Sequence, residues 1–585
     1  MIDVDRYAGG ILAVSYDDER RHDRDPAAAL SSAGIAAPTL IRRRNVTVAV
    51  WGQLAAEQAN GMPLVISGLA RGPRANVPIG QLNLTNGMAG SHSIAELMPP
   101  FGAVQVEEDT VRAVTDALGY RHIYHRTGEG WSAVSTSSLA LAHLAETRMD
   151  RNGIAVQAML GWQVGSRTLF EHVTKLRQRE RITLAEGRSV TDHYTPDAPR
   201  ARVRADRAVA EASAMLRDYL VDYLDDHPDA ILQLTGGLDS RILLAAIPPD
   251  RRRGIRVLTL ESGPESDDVR IAAQLAERYG MRHLVQGLSR LDDLHHAAAH
   301  ELVMTAAHDL NGMADPVAHA ALLAVESTFP QGDRISGLGG EVARGFYYVG
   351  PAVAYPVSRP LTRALTSWRM FANDSVATTA LNREFALWAR QFATEEIHRV
   401  LSDSGMSWPD ATDQLYLYER MQRWAGVTDS AVCLGRATVN PMLDPRFIAI
   451  ADSLAPADKA HARFLAQLVC RLDPELADIP LDGRLAPSAY AAPGPRQRLA
   501  NGIPMAQKAR RKIVQRLHND RRPPAGGDTL TALVTEHWRQ NPTLLDPVRA
   551  ACVFDDQWLD AMVAGGGADP STTALLATMV ALAPA

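Results

Sequence analysis

Residues 231–241 read I-L-Q-L-T-G-G-L-D-S-R, and their types and order suit the binding of phosphate. The apolar run Ile231 to Leu234 predicts a strand, the pair Gly236 and Gly237 a sharp turn, and the apolar run from Ile242 to Ile247 a helix that begins at once. A strand that turns directly into a helix aims unpaired backbone N–H groups at whatever lies in the turn, and the helix dipole favours an anion there. Thr235 and Ser240 add hydroxyls, and Asp239 supplies a carboxylate able to hold magnesium against phosphates. Leu234 and Leu238 complete the stretch expected to touch a nucleotide. No Gly-Lys-Ser/Thr follows, so this is not a Walker A loop. A glycine turn without a ligand would look the same over six residues, and a second signal is needed.

That signal lies about a hundred residues on, where 335–348 read I-S-G-L-G-G-E-V-A-R-G-F-Y-Y. An apolar approach, a glycine-rich turn and an acid predict Glu341 at the mouth of a neighbouring strand, beside Ser336, Gly337 and Gly339 at the nucleotide. Glu341 with Asp239 can form a magnesium site that keeps waters on the metal. Arg344 can neutralise pyrophosphate by a bidentate contact.

The elements that must position these residues divide near residue 200. Residues 1–195 carry strand-like segments at 45–51, 63–67, 101–106 and 130–135 and short helical stretches at 139–147 and 152–160. In 200–585 a long amphipathic helix over 201–224 precedes the 231–234 strand. A strand at 257–260, a helix at 267–279 and an extended 283–285 follow. Strand–helix alternation predicts a parallel sheet covered by helices, with ligands at the carboxyl ends of strands, where the 235–240 loop and Leu260 would sit.

Composition excludes several classes. A chain of 585 residues with 46% hydrophobic content fits a globular protein, and a net charge of −6 argues against nucleic acid as partner. No apolar run approaches the ~20 residues of a membrane span, and no signal-peptide core opens the chain. A cytoplasmic location is expected. Cys433, Cys470 and Cys552 are too widely spaced for a disulfide framework or a metal pattern. Only four lysines occur (Lys175, Lys459, Lys508, Lys512), so a catalytic lysine must be one of them.

Together the two loops, with a third motif, resemble the asparagine synthetase superfamily of ATP pyrophosphatases. That superfamily carries S-G-G-L-D-S, an S-G-E-G-S-D-E-like loop and R-x-P-F-L-D; here the third motif is Arg436 followed by Asn440-Pro441-Met442-Leu443-Asp444. The second loop departs from the pattern: Leu338 replaces the Glu, Gly340 the Ser, Glu341 takes the Asp position and Val342 replaces the following Glu. Asparagine synthesis is therefore not expected. The first part resembles a class II glutaminase domain through Phe101-Gly102, Thr115-Asp116-Ala117-Leu118-Gly119 with Tyr124, and Val134-Ser135-Thr136-Ser137. Its nucleophile would be Cys at position 2, and this chain has Ile2. The resemblance thus implies a degenerate, Ntn-type α+β domain at 1–195 joined to a PP-loop ATP pyrophosphatase parallel-sheet synthetase at 200–585.

Two branches combine a cysteine-less glutaminase-like domain with this synthetase: β-lactam synthetases and lasso peptide cyclases. The segments G-L-G-G-E-x-x-R-G, Y-L-Y-E-R-M-Q-R-W-A-G over 416–426, and 101–125 look more like the lasso cyclases. That likeness implies adenylation of an Asp or Glu side chain of a leader-free core peptide by ATP with Mg²⁺, then capture by the peptide's N-terminal amine. It implies as partners the core peptide of a lasso precursor, a leader-binding protein and a leader peptidase. A β-lactam synthetase-type cyclase of a small amino acid and a non-catalytic precursor-binding protein are the alternatives.

Adenine is expected against Leu234 and the 257–260 strand, and Arg241 beside Arg344 at pyrophosphate. Glu419 and Tyr418 are base candidates near Arg420 and Trp424, and Arg484 is a candidate cation for the second step. Lys459 is expected at the surface or near phosphate, on a helix-like stretch at 458–470. Asn311-Gly312, flanked by His308 and Asp315, reads as a substrate-side loop. Residues 496–522 hold nine Arg or Lys against one acid, which suits a solvated linker or a flap over the site. A terminal helix over 571–582 is a packing element.

Overall fold

Period-two alternation in the first part produces two antiparallel sheets that pack face to face. In the computed structural model, one sheet has six strands in the spatial order Thr174–Lys175, Tyr124–Gly128, Trp131–Ser135, Gly10–Tyr16, Val46–Trp51 and Thr39–Arg42. The other has five: Arg188–His193, Glu180–Ala185, Thr110–Thr115, Gly102–Val106 and Leu64–Val65. Ile11, Ala13, Val48, Val134, Val104, Ala113, Ile182 and Leu184 fill the space between them. Helices Pro26–Ser32 and Ser138–Leu144 cover the outer face of the six-stranded sheet. A three-stranded meander over 82–93 contributes to a separate core with Phe101, Ala103 and Val114 of the five-stranded sheet. The structure describes residues 9–17, 24–35, 38–52, 63–66, 70–107, 109–195, 201–261, 267–288, 291–326, 332–371, 375–428, 437–491 and 525–583.

Beyond the antiparallel sheets, helix Ala205–Asp226 leads into a parallel sheet of five strands. Their spatial order is Arg282–Gln286, Arg256–Leu260, Ile231–Gln233, Arg334–Ile335 and Thr438–Val439, which in chain order is 3-2-1-4-5. Every neighbouring pair is parallel. The chain winds outward one way from Ile231–Gln233 and then the other, so the crossovers part above the first and fourth strands. A crevice at the carboxyl ends of those two strands is the general ligand position in such sheets. The fold is therefore mixed α/β, antiparallel first and parallel later. Among the described residues, no helix is long and apolar enough to cross a membrane.

The two parts are joined through packed side chains. Asn311, in the left-handed conformation at the end of helix His296–Leu310, accepts from the Ser138 N–H at 2.7 Å and from its hydroxyl at 3.2 Å. Asp315 accepts from the Val317 and Ala318 N–H groups. The substrate-side reading of 308–315 is corrected accordingly: Asn311 and Gly312 belong to the seam between the parts, and a side chain on Gly312 would strike Leu169. The 458–470 stretch also differs. His461 and Ala462 take positive φ and break it, so the helix runs Arg463–Leu472.

Candidate nucleotide and metal site

Leu234 continues the first strand, donating its N–H to Leu258 at 2.8 Å and accepting from the Thr259 hydroxyl at 2.7 Å. Its side chain is wholly buried in the core, since the strand is central in a sheet covered on both faces. Any contact of Leu234 with a nucleotide would therefore be made by its backbone. Leu260, at the end of the adjacent strand, is partly exposed.

The turn closes on itself through its hydroxyls. Thr235 Oγ1 and Ser240 Oγ lie 3.1 Å apart, Ser240 Oγ accepts the Thr235 N–H at 3.1 Å, and Gly237 donates to Thr235 Oγ1 at 3.1 Å. Helix Leu238–Ala246 follows with no side chain capping it, which leaves the first-turn N–H groups facing the crevice. Gly236 donates to the Asp268 carboxylate at 2.7 Å. That acid, which nothing in the sequence singles out, holds a backbone donor that a phosphate oxygen would compete for. Gly236 also accepts from the Asp482 N–H at 3.0 Å. A Cβ on Gly236 would stand 2.9 Å from both Ile271 Cδ1 and Asp482 Cβ, so only glycine fits between these neighbours.

The second loop interlocks with the first. Ser336 donates its N–H to Val439 at 2.9 Å and its Oγ accepts from Leu338. A Cβ on Gly337 would lie 2.8 Å from the Ser240 nitrogen, and one on Gly340 would lie 2.1 Å from Asp239 Oδ1. Gly339 has φ +107, a conformation that side chains resist, and its other side meets Leu443 of the third motif. These glycines let the two carboxyl-end loops touch.

The two loops bring the Asp239 and Glu341 carboxyl groups near one another, with Arg344 against both. Arg344 Nη1 lies 3.6 Å from Asp239 Oδ2 and Nη2 lies 2.8 Å from Glu341 Oε1. Burial and then the Glu341 charge push the Asp239 carboxyl up to about 7, against the opposing cations Arg344 and Arg484. Asp239 Oδ1 and Glu341 Oε2 are both buried and, among the described residues, accept from no donor. Two buried, unpartnered carboxylate oxygens on adjoining loops suit a hard divalent cation whose remaining ligands are phosphate and water. Among the described residues no group of three or more His, Cys, Asp or Glu side chains forms a closed metal cage. An all-protein cage is not what magnesium with a nucleotide requires.

Tyr416 also faces this pair, although its neighbours Tyr418 and Glu419 were the expected residues. Burial, with the Glu341 charge next in weight, holds its phenol well above the ordinary range. Its ring stands 4.4 Å from Phe346 and 5.3 Å from Tyr347. Tyr418, two residues on, projects from another side of the helix over Tyr416–Gly426.

Several expected residues stand elsewhere. Arg241 is wholly buried and its Nη1 donates to the Ile479 and Pro480 carbonyls, the latter at 3.1 Å. It braces the 479–484 segment behind the helix and does not face the crevice. Glu419 accepts from the Gly165 N–H at 2.8 Å and pairs with Arg423 at 3.2 Å, so it latches the two parts together. Lys459 is 1% exposed and donates to Asp413 at 2.8 Å, and the Tyr348 hydroxyl donates to the same carboxylate at 2.9 Å. The surface position expected for Lys459 is corrected. Asp444 caps helix Pro445–Ser453 and pairs with Arg446 at 2.7 Å. Arg436, Cys433 and the basic 496–522 segment with Lys508 and Lys512 lie outside the described residues.

No family model and no curated protein matches this chain. Among solved structures, the allosteric regulatory enzyme of purine biosynthesis aligns at 10% identity over 47% of this chain and 80% of its own, with a TM-score of 0.20. Glutamine phosphoribosylpyrophosphate amidotransferase from B. subtilis, complexed with ADP and GMP, aligns at 10% identity over 48% and 80%, also at 0.20. Likeness at that level carries no argument about chemistry, which rests on the carboxylate pair and the loops that hold it.

Proposed function

We propose that this chain is an ATP-dependent macrolactam synthetase of lasso peptide biosynthesis. It would adenylate an Asp or Glu side chain of a leader-free core peptide and join it to the peptide's N-terminal amine, releasing AMP and pyrophosphate. The observation that carries the reading is the carboxylate pair Asp239 and Glu341, each with an orphaned buried oxygen, beside an uncapped helix N-terminus at the switch point of the parallel sheet. The motif order supplies the branch.

In this reading Thr235, Gly236 and Gly237 shape the turn around the phosphates, the N–H groups of Leu238 and Ser240 at the uncapped helix start donate to them, and Ser336, Gly337 and Gly339 close the other side. Asp239 and Glu341 would hold Mg²⁺, which when bound offsets the charge of the phosphates. Arg344 donates toward the same charge. A substrate carboxylate oxygen bonds to the α-phosphorus, the bridging α–β bond breaks, and pyrophosphate leaves. The N-terminal amine then bonds to the acyl carbon, AMP departs with the bonding pair, and the amine gives up a proton. An amine of pKa ~7.7–8 is already substantially neutral near pH 8. Holding both ends of one peptide makes the second step unimolecular, an advantage of up to ~7–11 kcal/mol.

The first part is read as a degenerate glutaminase-like, Ntn-type domain. Its missing nucleophile agrees with an amine supplied by the peptide and not by glutamine. A leader-binding protein and a leader peptidase would deliver the core peptide in the cytoplasm. The test is to incubate the protein with ATP, Mg²⁺ and leader-free peptides carrying one acidic residue at successive positions. AMP release together with loss of one water mass from a peptide is the expected result, and both should vanish in Asp239→Ala. AMP without mass loss would turn the reading toward a small-molecule cyclase. No AMP with any peptide would sink it.

A further inference from the structure

Among the described residues, two stretches wind as wide-turn π-helices, Thr366–Met370 and Tyr416–Gly426. Such turns are rare, are poorly packed along their axes and recur at functional sites. Both converge on one place. Arg369, from the first, donates to the Phe346 carbonyl at 2.8 Å, and its guanidinium lies 5.4 Å from the Phe346 ring. Arg344, which holds the acid pair, lies 5.7 Å from the same ring. Tyr416, from the second stretch, packs on Phe346 and Tyr347. One turn further, Arg420 stacks 5.3 Å from Trp424 and 5.9 Å from Trp162 of the first part.

We infer that Arg369 and Arg420, walled by Phe346, Tyr347 and Tyr416, hold the carboxylate side chain of a peptide substrate beside the Asp239–Glu341 pair. This deepens the adenylation reading and rests on it. Charge supports the assignment. Arg344 is committed to Asp239 and Glu341, whereas among the described residues Arg369 pairs with no carboxylate. Burial and the neighbouring Arg420 and Arg344 cations depress the Arg369 guanidinium despite the opposing tyrosines Tyr347 and Tyr416. A half-buried cation beside like charges is stabilised by an anion that arrives with the ligand. Planar guanidiniums among rings suit the flat, bidentate carboxylate group. Phosphate is served by the loops and by Arg344. Trp424, 42% exposed and stacked by Arg420, adds an apolar edge fitted to a peptide chain and not to a small acid.

The test uses the full-length protein and two end-labelled short peptide amides with free N-termini, identical except for Glu or Gln at one position. Fluorescence anisotropy should show the Glu peptide binding about tenfold more tightly, the size expected of a charge-assisted hydrogen-bonded pair. Arg369→Ala should reduce that preference below about threefold, and Arg369→Lys should restore part of it, with thermal melts showing that the variants fold. No Glu preference in the unaltered protein would overturn the inference. Competition by inorganic pyrophosphate that is weakened by Arg369→Ala would also overturn it, assigning the arginines to phosphate. Affinity for a fluorescent ATP analogue with Mg²⁺ is measured alongside. Absent nucleotide binding with an intact Glu preference would sink the adenylation reading while leaving the carboxylate site standing.

Discussion

Asp239 concentrates the chemistry into one titration. Its carboxyl, raised to about 7 by burial and by Glu341, keeps a proton in the folded state that an unfolded chain, with an ordinary pKa near ~3.9, gives up. The folded state therefore binds more protons between about pH 4 and 7. Without metal, this group's contribution to stability falls as pH rises through that window. Metal binding must expel the proton, so Mg²⁺ affinity should rise by up to about tenfold per pH unit below 7 and level off above it. Calorimetric titration at several pH values checks this, and a flat profile would refute it. Asp239→Asn should lower AMP formation by at least about a hundredfold, because the remaining Glu341 cannot replace a lost metal ligand.

At the level of elements, the crevice depends on loops that touch. Gly340→Ala would place a methyl 2.1 Å from Asp239 Oδ1, and the contact is relieved only by turning that carboxylate away. The variant should melt within a few degrees of the parent and yet lose most Mg²⁺-dependent nucleotide affinity. An unchanged affinity would show that the two loops do not share a metal. Arg241 acts behind the loop. Its guanidinium ties the 479–484 segment, whose Asp482 N–H reaches Gly236, to helix Leu238–Ala246. Arg241→Leu should cost about 2 kcal/mol or more in chemical denaturation, since buried carbonyls lose a charged donor.

Across the whole molecule, one apolar core runs through both parts, joining Leu12, Trp162 and Leu169 to Leu234, Leu310 and Trp408. Polar ties reinforce the seam: Gln422 donates to Leu118 at 2.6 Å, its carbonyl lies 3.0 Å from His122 Nε2, and Glu419 accepts from Gly165. Gly119 and Gly426 permit this closeness, since a Cβ on Gly119 would strike the Gln422 amide and one on Gly426 the Tyr120 ring. Unfolding should therefore be a single transition, with tryptophan fluorescence and far-ultraviolet circular dichroism coincident in denaturant. Two separated transitions would contradict the shared core. Asn311→Ala removes a left-handed helix terminus and its bonds to Ser138; it should cost about 2 kcal/mol with nucleotide affinity unchanged.

The sequence by itself determined the glycine turn between strand and helix at 235–240, the second acid-bearing loop and their order along the chain. Glycines, hydroxyls and acids at strand ends leave a local signature, because turn geometry and period-two burial act over a few residues. The parallel sheet was legible too, since its short apolar strands alternate with helices. Strands such as Gly10–Tyr16 and Thr110–Thr115 were not, because their faces are specified by partners far along the chain. Only the tertiary structure decided that Arg241, Glu419 and Lys459 are braces. A charged residue's type does not reveal whether its partner is a ligand or another group of the chain, from 46 to more than 250 residues distant in these three. That Tyr416 lies toward Glu341 is set by its packing on Phe346 and Tyr347, which come from a loop some seventy residues away. Residue chemistry is written locally, whereas the direction in which it points is set by packing.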